Sequence, residues 1–540
     1  MHDKSMPTGI SAAQTEKAPP FREAWQLRKS ILLLLPVVLW IWLCRDWPTR
    51  LGFYSDDWMV LLHPFVGTAE AFRDDLNLVA TRPVSAPFIW LAQVFVDWSP
   101  VRSQLLNAAM LLVTAASVGL LAAAIVSGVR SLRDGTLACA SIAAAAFIVF
   151  PSNIGTFVWG VGVSAVVPAV PLFCIATSML LHAERSLPRL YLGLTVALLS
   201  HLSYEAFYFQ DAAFVLIAIT LRGNGIKDIP WRVLTGILIV NIGCLAFNRL
   251  TPGIIQKSFH WEFLQIFVGS YSRVLNILGH AIREHVFLIA ISVIAAGLSG
   301  SICLARLAGV VRMHFALVMT ICGVIASGLL YAFAGYGLAA EGPTARVAIV
   351  LATYYSITAG VLAAAAWCAI AKRRLAVLVF WISAGTGLIA LNLTARARVG
   401  EWADTWSYET ARLSRLPTAI TSAKMYVAGD RRLYVAIEDR PASFVQPATA
   451  PWEIGGAVAW ASYKNTNSRL LTVDLWKQAP PRWFATPPNW FNRWNGEHFE
   501  QGVCTDGAVI VRASGSELWS WNTSTSELTK IDAPWEHGCQ

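Results

Sequence analysis

Between Ile31 and Thr394 one apolar run follows another, each roughly 15–25 residues long, about what a helix needs to cross ~30 Å of hydrocarbon. In lipid every backbone N–H and C=O must find its partner within the protein, so runs of this kind fold as spanning helices. With 56% hydrophobic and 14% charged residues, the chain has too little charge to clothe 540 residues in a soluble surface. The start does not read as a cleaved leader. Residues 1–29 are long and polar, and no Ala-x-Ala-like site follows Leu32–Trp42, so that stretch reads as a retained first span.

The net charge of +9 has an address. Residues 395–540 hold 15 basic and 15 acidic side chains, whereas residues 1–394 hold 27 and 18. Much of the excess sits in five short loops: Arg130 and Arg133; Arg185 and Arg189; Arg222, Lys227 and Arg232; Arg306 and Arg312; Lys372, Arg373 and Arg374. Only Asp134, Glu184 and Asp228 oppose them there. Short basic loops mark the cytoplasmic face of a membrane protein, which accounts for the charge without nucleic acid as a partner.

With those loops inside, the segments alternate as about 11 crossings. Residues 1–29 form a cytoplasmic tail, and residues 30–394 a mainly α polytopic helical bundle in contact with the bilayer. Residues 31–45 cross outward and 46–103 form a long outer loop. Residues 104–128 return, 136–151 and 157–182 go out and back, and Tyr191–Leu202 and Ala206–Leu221 make a short hairpin. Crossings at 232–250, 285–304, 314–335, 346–370 and 375–393 leave the C-terminus outside. In the outer loop, Val84–Val96 is too short to span and suits a helix lying in the interface. Phe72, Asp74, Asp75 and Leu76 suggest another short amphipathic piece.

From about Arg396 the composition changes. Glu401–Leu416 could be an amphipathic helix leaving the membrane. Strand-like runs follow at Met425–Val427, Leu433–Ile437, Leu470–Leu475 and Ala508–Arg512, broken by Gly, Pro, Asp and Asn. Residues 395–540 therefore read as an extracytoplasmic, β-rich C-terminal domain, with 11 of the 23 tryptophans. Seven cysteines lie in apolar segments as small buried hydrophobes. The other two, Cys504 and Cys539, could form a disulfide in an exported domain.

Chemistry is sought where charge is costly. Tyr54-Ser-Asp-Asp-Trp58 sets two carboxylates just past the first span, on the outer side. A carboxylate near an acceptor hydroxyl can take its proton as the hydroxyl attacks. Neighbouring residues cannot point the same way on a strand and lie about 100° apart on a helix. One of Asp56 and Asp57 is therefore expected to act as base, Asp56 by preference, and the other to bind acceptor, a metal or a basic neighbour. His201-Leu-Ser-Tyr-Glu205 puts ionisable groups at the turn of the short hairpin, where they need a cavity or a partner. Glu205 could orient a substrate or pair with an outer Arg, and Asp211, two turns deeper, reads as structural. Arg82 and Arg346 are guanidinium groups at the outer boundary, suited to clasp a phosphate; Arg346 follows Glu341-Gly-Pro-Thr-Ala. The chain has no Walker-type loop, His-Glu-x-x-His or Cys-x-x-Cys, against ATP-driven transport and zinc hydrolysis.

Asp56-Asp57 after the first span, Arg82-Pro83 later in the same loop and Tyr204-Glu205 at a short hairpin together resemble the GT-C superfamily of polytopic glycosyltransferases, and are similar to bacterial O-antigen-modifying glucosyltransferases. Those typically show Gly-Arg-Pro before an interfacial helix, where this chain has Thr81. They often carry an arginine closely after the Asp pair, absent from Trp58–Leu62. The resemblance covers residues 30–400 and implies a bacterial inner-membrane enzyme taking a polyprenyl-phosphate sugar to a glycan or lipid-linked acceptor. It implies inversion at the anomeric carbon, with Asp56 or Asp57 as base, Arg82 and Arg346 on the phosphate, and His201, Tyr204, Glu205 and Glu341 about the substrates. No cofactor is required, though two carboxylates could hold a divalent metal. The alternatives are a polysaccharide polymerase or protein glycosyltransferase of the same fold, a lipid-linked oligosaccharide flippase or transporter, and a non-catalytic envelope assembly protein.

Overall fold

The computed structural model describes residues 20–54, 57–62, 66–184, 186–222, 230–251, 348–370 and 374–422, the isolated positions 265, 268, 269, 323, 325 and 460, and seven short strands between 433 and 530. The described part is mainly helical. Six of its helices are long and apolar enough to cross a membrane, at Leu32–Arg50, Pro100–Ser127, Arg130–Ile148, Gly160–Leu180, Trp231–Leu250 and Ile349–Cys368. The expected crossings at 285–304 and 314–335 lie outside the described residues, apart from 323 and 325.

The first helix, α1 (Pro20–Cys44), starts well before the expected span. Four short helices fold the stretch expected as the outer loop: α2 (Trp47–Arg50), α3 (Asp57–Val60), α4 (Ala69–Leu78) and α5 (Ser85–Val96). Thr68 caps α4 by accepting the Ala71 N–H at 3.2 Å, and α5 coincides with the interfacial stretch read from Val84–Val96. The exposed Leu91, Val94 and Phe95 on α5, with Phe72, Leu76 and Leu78 on α4, present apolar side chains as an interfacial pair would.

Next come α6 (Pro100–Ser127) and α7 (Thr136–Ile148), then α8 (Asn153–Val158), α9 (Gly160–Ala165) and α10 (Ala169–Leu180). The crossing expected at 157–182 is present as Gly160–Leu180, with its helix starting after a break at Trp159 and turning again at 166–168. Pro168 accounts for the second break, because it cannot donate to the preceding turn. The first is made by a distant side chain, described below. The hairpin is present as α11 (Leu187–Ser203) and α12 (Gln210–Arg222), followed by α13 (Trp231–Leu250) and α14 (Ile349–Ile370). The last helix, α15 (Arg374–Ser422), runs 49 residues without a break. Its length is about 74 Å, so it can cross ~30 Å of hydrocarbon and still project well past it. The stretch Glu401–Leu416, expected as an amphipathic helix, thus continues the helix that starts at Arg374.

Packing is tightest around α7, which lies against α1, α6 and α14. Small residues allow that approach. A side chain at Gly119 would run into the Ala140 carbonyl, and one at Gly360 into the Cys139 carbonyl. The strands β1 (Leu433–Ile437), β2 (Trp483–Ala485), β3 (Trp490–Trp494), β4 (Phe499–Val503), β5 (Val511–Arg512), β6 (Glu517–Asn522) and β7 (Glu527–Lys530) form two sheets, ordered β2-β1-β6-β7 and β3-β4-β5. Of the strand-like runs, Leu433–Ile437 coincides with β1 and Ala508–Arg512 ends on β5, whereas Met425–Val427 and Leu470–Leu475 lie outside the described residues.

Candidate active site

Asp57 opens α3, and its side chain is fully buried. Its Oδ2 accepts the N–H of Tyr54 and that of Gly160, both at 3.1 Å, and its Oδ1 accepts the Val161 N–H at 2.7 Å. Gly160 and Val161 begin α9, whose first N–H groups have no acceptor within their own helix. A carboxylate there satisfies them and sits favourably at the positive ends of the peptide dipoles. This is what lets a new helix start at Gly160. A Cβ at Gly160 would meet the tip of the Leu61 side chain and approach Ser103 and the Asp57 carboxylate, so Leu61 would have to shift to admit one. Expected to face acceptor, metal or a basic neighbour if it was not the base, Asp57 has backbone amides as its identified partners. Asp56, with Ser55, lies outside the described residues.

Arg82 and Glu205 meet across 123 positions of sequence. Arg82 Nε donates to Glu205 Oε2 at 2.7 Å and Nη2 to Oε1 at 2.5 Å, a two-bond fork of the strong charge-assisted kind. The guanidinium also lies over the Tyr204 ring, 4.9 Å from its centroid. The paired side chains stay 23% and 19% exposed, so they sit at the edge of the helical body. Ser85, one turn past Arg82, places its Oγ 2.8 Å from the carbonyls of both Ala165 and Ser203. These bonds join α5 to the end of α9 and the end of α11. Since α9 rises about 8 Å along its length, the Asp57 clamp at its start and the Ser85–Arg82 corner at its end are on the order of 10 Å apart.

His201 belongs to the same hairpin but turns inward. Its Nε2 lies 3.3 Å from Asp211 Oδ2, and both side chains are buried. Asn241 of α13 completes that cluster. Its Nδ2 donates to Asp211 Oδ1 at 3.2 Å, and its Oδ1 accepts the Phe209 N–H at 2.6 Å. Phe209 is left-handed, with φ of 64°, and the Asn241 bond holds that bend between Tyr208 and α12. Asp211 thus partners His201 and Asn241, and His201 is brought to it rather than to Arg82. Glu341, Arg346, Cys504 and Cys539 lie outside the described residues. Among the described residues no group of three or more His, Cys, Asp or Glu is placed to hold a metal ion.

Three neighbours of the site escaped the sequence reading. Tyr54, buried, donates its hydroxyl to the Trp402 carbonyl of α15 at 2.9 Å. Burial, with Asp57 and Glu409 nearby, pushes its phenol well above the usual tyrosine range. Glu409 is itself buried on α15, which sets Trp402, Trp406 and Glu409 on one face at i, i+4 and i+7; that spacing was the available signal. Gln93, a lone amide within apolar α5, bonds through Nε2 to the Val60 carbonyl at 2.8 Å and to Asp75 Oδ1 at 2.9 Å. It thereby ties the end of α3 to α4. Asp75 is buried with Oδ2 lacking a hydrogen-bond partner among the described residues, and burial raises its carboxyl to about 7.

No family model matches the chain, and no curated protein matches it. Among solved structures, the crystal structure of the Archaeoglobus fulgidus oligosaccharyltransferase complex with Zn and sulfate aligns at 13% identity and a TM-score of 0.36. The alignment covers 85% of this chain and 62% of that one, so the chain spans less than two thirds of that protein's length.

Proposed function

We propose that this chain is a polytopic membrane glycosyltransferase of the GT-C kind, moving a sugar from a polyprenyl-phosphate donor to an extracytoplasmic acceptor, either a cell-surface glycan or a lipid-linked saccharide. One observation carries the reading. The Arg82–Glu205 fork over Tyr204 sits one short helix away from the loop of the Asp pair, so a guanidinium and that loop share one end of the helical body.

In this mechanism Asp56 takes the proton of the acceptor hydroxyl as its oxygen attacks the anomeric carbon. The bond from that carbon to the phosphate oxygen breaks with inversion, and the polyprenyl phosphate leaves with the electron pair. Asp57, tied to three backbone amides, holds the peptide that presents Asp56. Glu205 aims the guanidinium of Arg82, and Arg82 with Arg346 meets the charge growing on the leaving phosphate. Tyr204 backs Arg82, and Glu341 joins Arg346 in binding substrate. A divalent ion could share the work beside Asp56, but Asp57, with its oxygens held by amides, is a poor ligand for it. The enzyme sits in a bacterial inner membrane with its N-terminus cytoplasmic and its C-terminal domain outside, where Cys504 and Cys539 pair.

The test is transfer of labelled hexose from polyprenyl-phosphate hexose by the full chain in liposomes. Asp56→Asn should lose about 10²–10⁴-fold in kcat, the range of general base catalysis. Transfer by that variant at the wild-type rate would sink the assignment. One observation favours the flippase or transporter reading: the buried His201–Asp211 pair, since ionisable pairs among spanning helices mark ion and substrate paths. It predicts loss of lipid-linked saccharide translocation in Asp211→Asn with no sugar transfer by the wild type.

A further inference from the structure

Arg82 and Glu205 stand on parts of the chain 123 positions apart, so the aim of their fork depends on how the two backbones are held together. One buried hydroxyl does this. Ser85, 1% exposed, opens α5, and its N–H donates to the Arg82 carbonyl at 2.9 Å. The Arg82 N–H donates in turn to the Val79 carbonyl at 2.6 Å, so Arg82 is fixed at both ends of one turn. On the other side, Ser85 Oγ lies 2.8 Å from the Ser203 carbonyl, whose peptide leads directly into Tyr204 and Glu205. It lies 2.8 Å from the Ala165 carbonyl as well. Ser203 and Ala165 are the last residues of α11 and α9, and carbonyls at a helix end have no donor within their own helix. A hydroxyl carries one proton, so the two carbonyls share it in a three-centre bond. Past Ser203 the chain turns extended at Tyr204, which brings that ring under the guanidinium.

We propose that Ser85 is a positioning residue for Arg82: its hydroxyl ties the turn that bears the guanidinium to the peptide that bears Tyr204 and Glu205. The inference rests on the reading of Arg82 as the group that meets the leaving phosphate. A polyprenyl-phosphate sugar is a diester with one negative charge, and the phosphate that leaves gains much of a second at pH 7. The aim of the guanidinium is therefore felt most as the bond to the anomeric carbon breaks, and on the free phosphate, and less on the intact donor. Without the hydroxyl, two buried carbonyls lose that proton and α5 loosens from the ends of α9 and α11. A displacement of the guanidinium by about 1 Å is enough to cost on the order of 10²-fold in rate.

Transfer kinetics and amide hydrogen exchange on the full chain in nanodiscs test this together. Ser85→Ala should lose about 10- to 100-fold in kcat, with KM for the polyprenyl-phosphate hexose within about threefold. Its affinity for polyprenyl phosphate alone should fall about tenfold, and Ser85→Thr, which keeps the hydroxyl, should recover most of both losses. Because the serine acts through Arg82, adding Ser85→Ala to Arg82→Gln should cost less than about twofold more. Equal losses in the two backgrounds would make the serine ordinary packing and overturn the proposal. In exchange, Ser85→Ala should speed the amides of residues 203–208 by about tenfold while residues 104–126 of α6 stay protected. Unchanged exchange at 203–208, or a rise that extends equally to 104–126, overturns it too. If 203–208 loosens as expected but the wild type neither transfers sugar nor binds polyprenyl phosphate, the reading of Arg82 falls and the tie between α5 and the hairpin stands.

Discussion

A carboxylate that accepts three backbone N–H groups has no neutral substitute of the same shape. In Asp57→Asn one oxygen becomes an NH₂ donor facing N–H donors, and at least one buried amide among Tyr54, Gly160 and Val161 loses its acceptor. The expected loss is about 2–4 kcal/mol, given roughly 1–3 for each unsatisfied buried group. Thermal unfolding in detergent reads it, and a midpoint equal to wild type would remove the clamp. Asp75 makes a different prediction. Its folded carboxyl titrates at about 7, above the ordinary carboxylate value, so between pH 4 and 7 the folded state keeps a proton that the unfolded chain has lost. Its contribution to stability is fully present below about pH 4 and is lost as pH rises through about 7. Asp75→Asn removes that slope. Its amide can also donate to Gln93 Oε1, which has no partner among the described residues, so stability at pH 8 should rise by roughly 1–3 kcal/mol. An unchanged slope from pH 4 to 8 in Asp75→Asn would show that another group causes it.

At the scale of elements, the site is made by helices too short to stand alone. With four residues in α3 and six in α9, neither can nucleate by itself, and each borrows its ends from the other. The long helix α15 supplies the rigid wall behind them. Its Trp402 ring meets Tyr54 edge-on at 4.6 Å, and its Trp406 lies flat against the backbone of Gly52. A methyl group at Gly52 would fall inside the Trp406 ring, so either the ring or the loop must move. Gly52→Ala should therefore cost about 1–3 kcal/mol in thermal stability, the usual range for overpacking a dense site. Pairing Gly52→Ala with Trp406→Ala should recover part of that loss. Equal losses for the single variants and no coupling in the double would mean that the loop does not lean on α15.

At the scale of the molecule, two sets of contacts gather at opposite ends of the bundle. At one end Gly128 abuts the Arg222 guanidinium, which donates to the Leu181 carbonyl at 3.3 Å. At the other lie the Asp57, Arg82 and Ser85 contacts, and Arg396 bonds Trp42 and Asp46. The basic-loop alternation assigns the first set to the cytoplasm and the second to the outside. It predicts that a phosphatase reporter fused after Gln540 is active on the far side of the membrane from the cytoplasm, while one placed in the loop at Arg222–Arg232 is silent. The reverse pattern would turn the whole chain over.

The apolar runs by themselves determined a helical membrane bundle, and the helix at 85–96 and the helical hairpin at 187–222 were legible because length and hydropathy are local properties. The pairing of Arg82 with Glu205 was half legible, since an acid at a helix break must find a partner but the sequence cannot say which. Only tertiary structure decided the rest. It fixed the start of the 157–182 span at Gly160, because a carboxylate 103 residues earlier satisfies the N–H groups that open that helix. It turned His201 away from Arg82 and toward Asp211, and it set Trp460 beside Trp58. Each of these depends on which distant groups share a few ångströms, and no local pattern of residues carries that information.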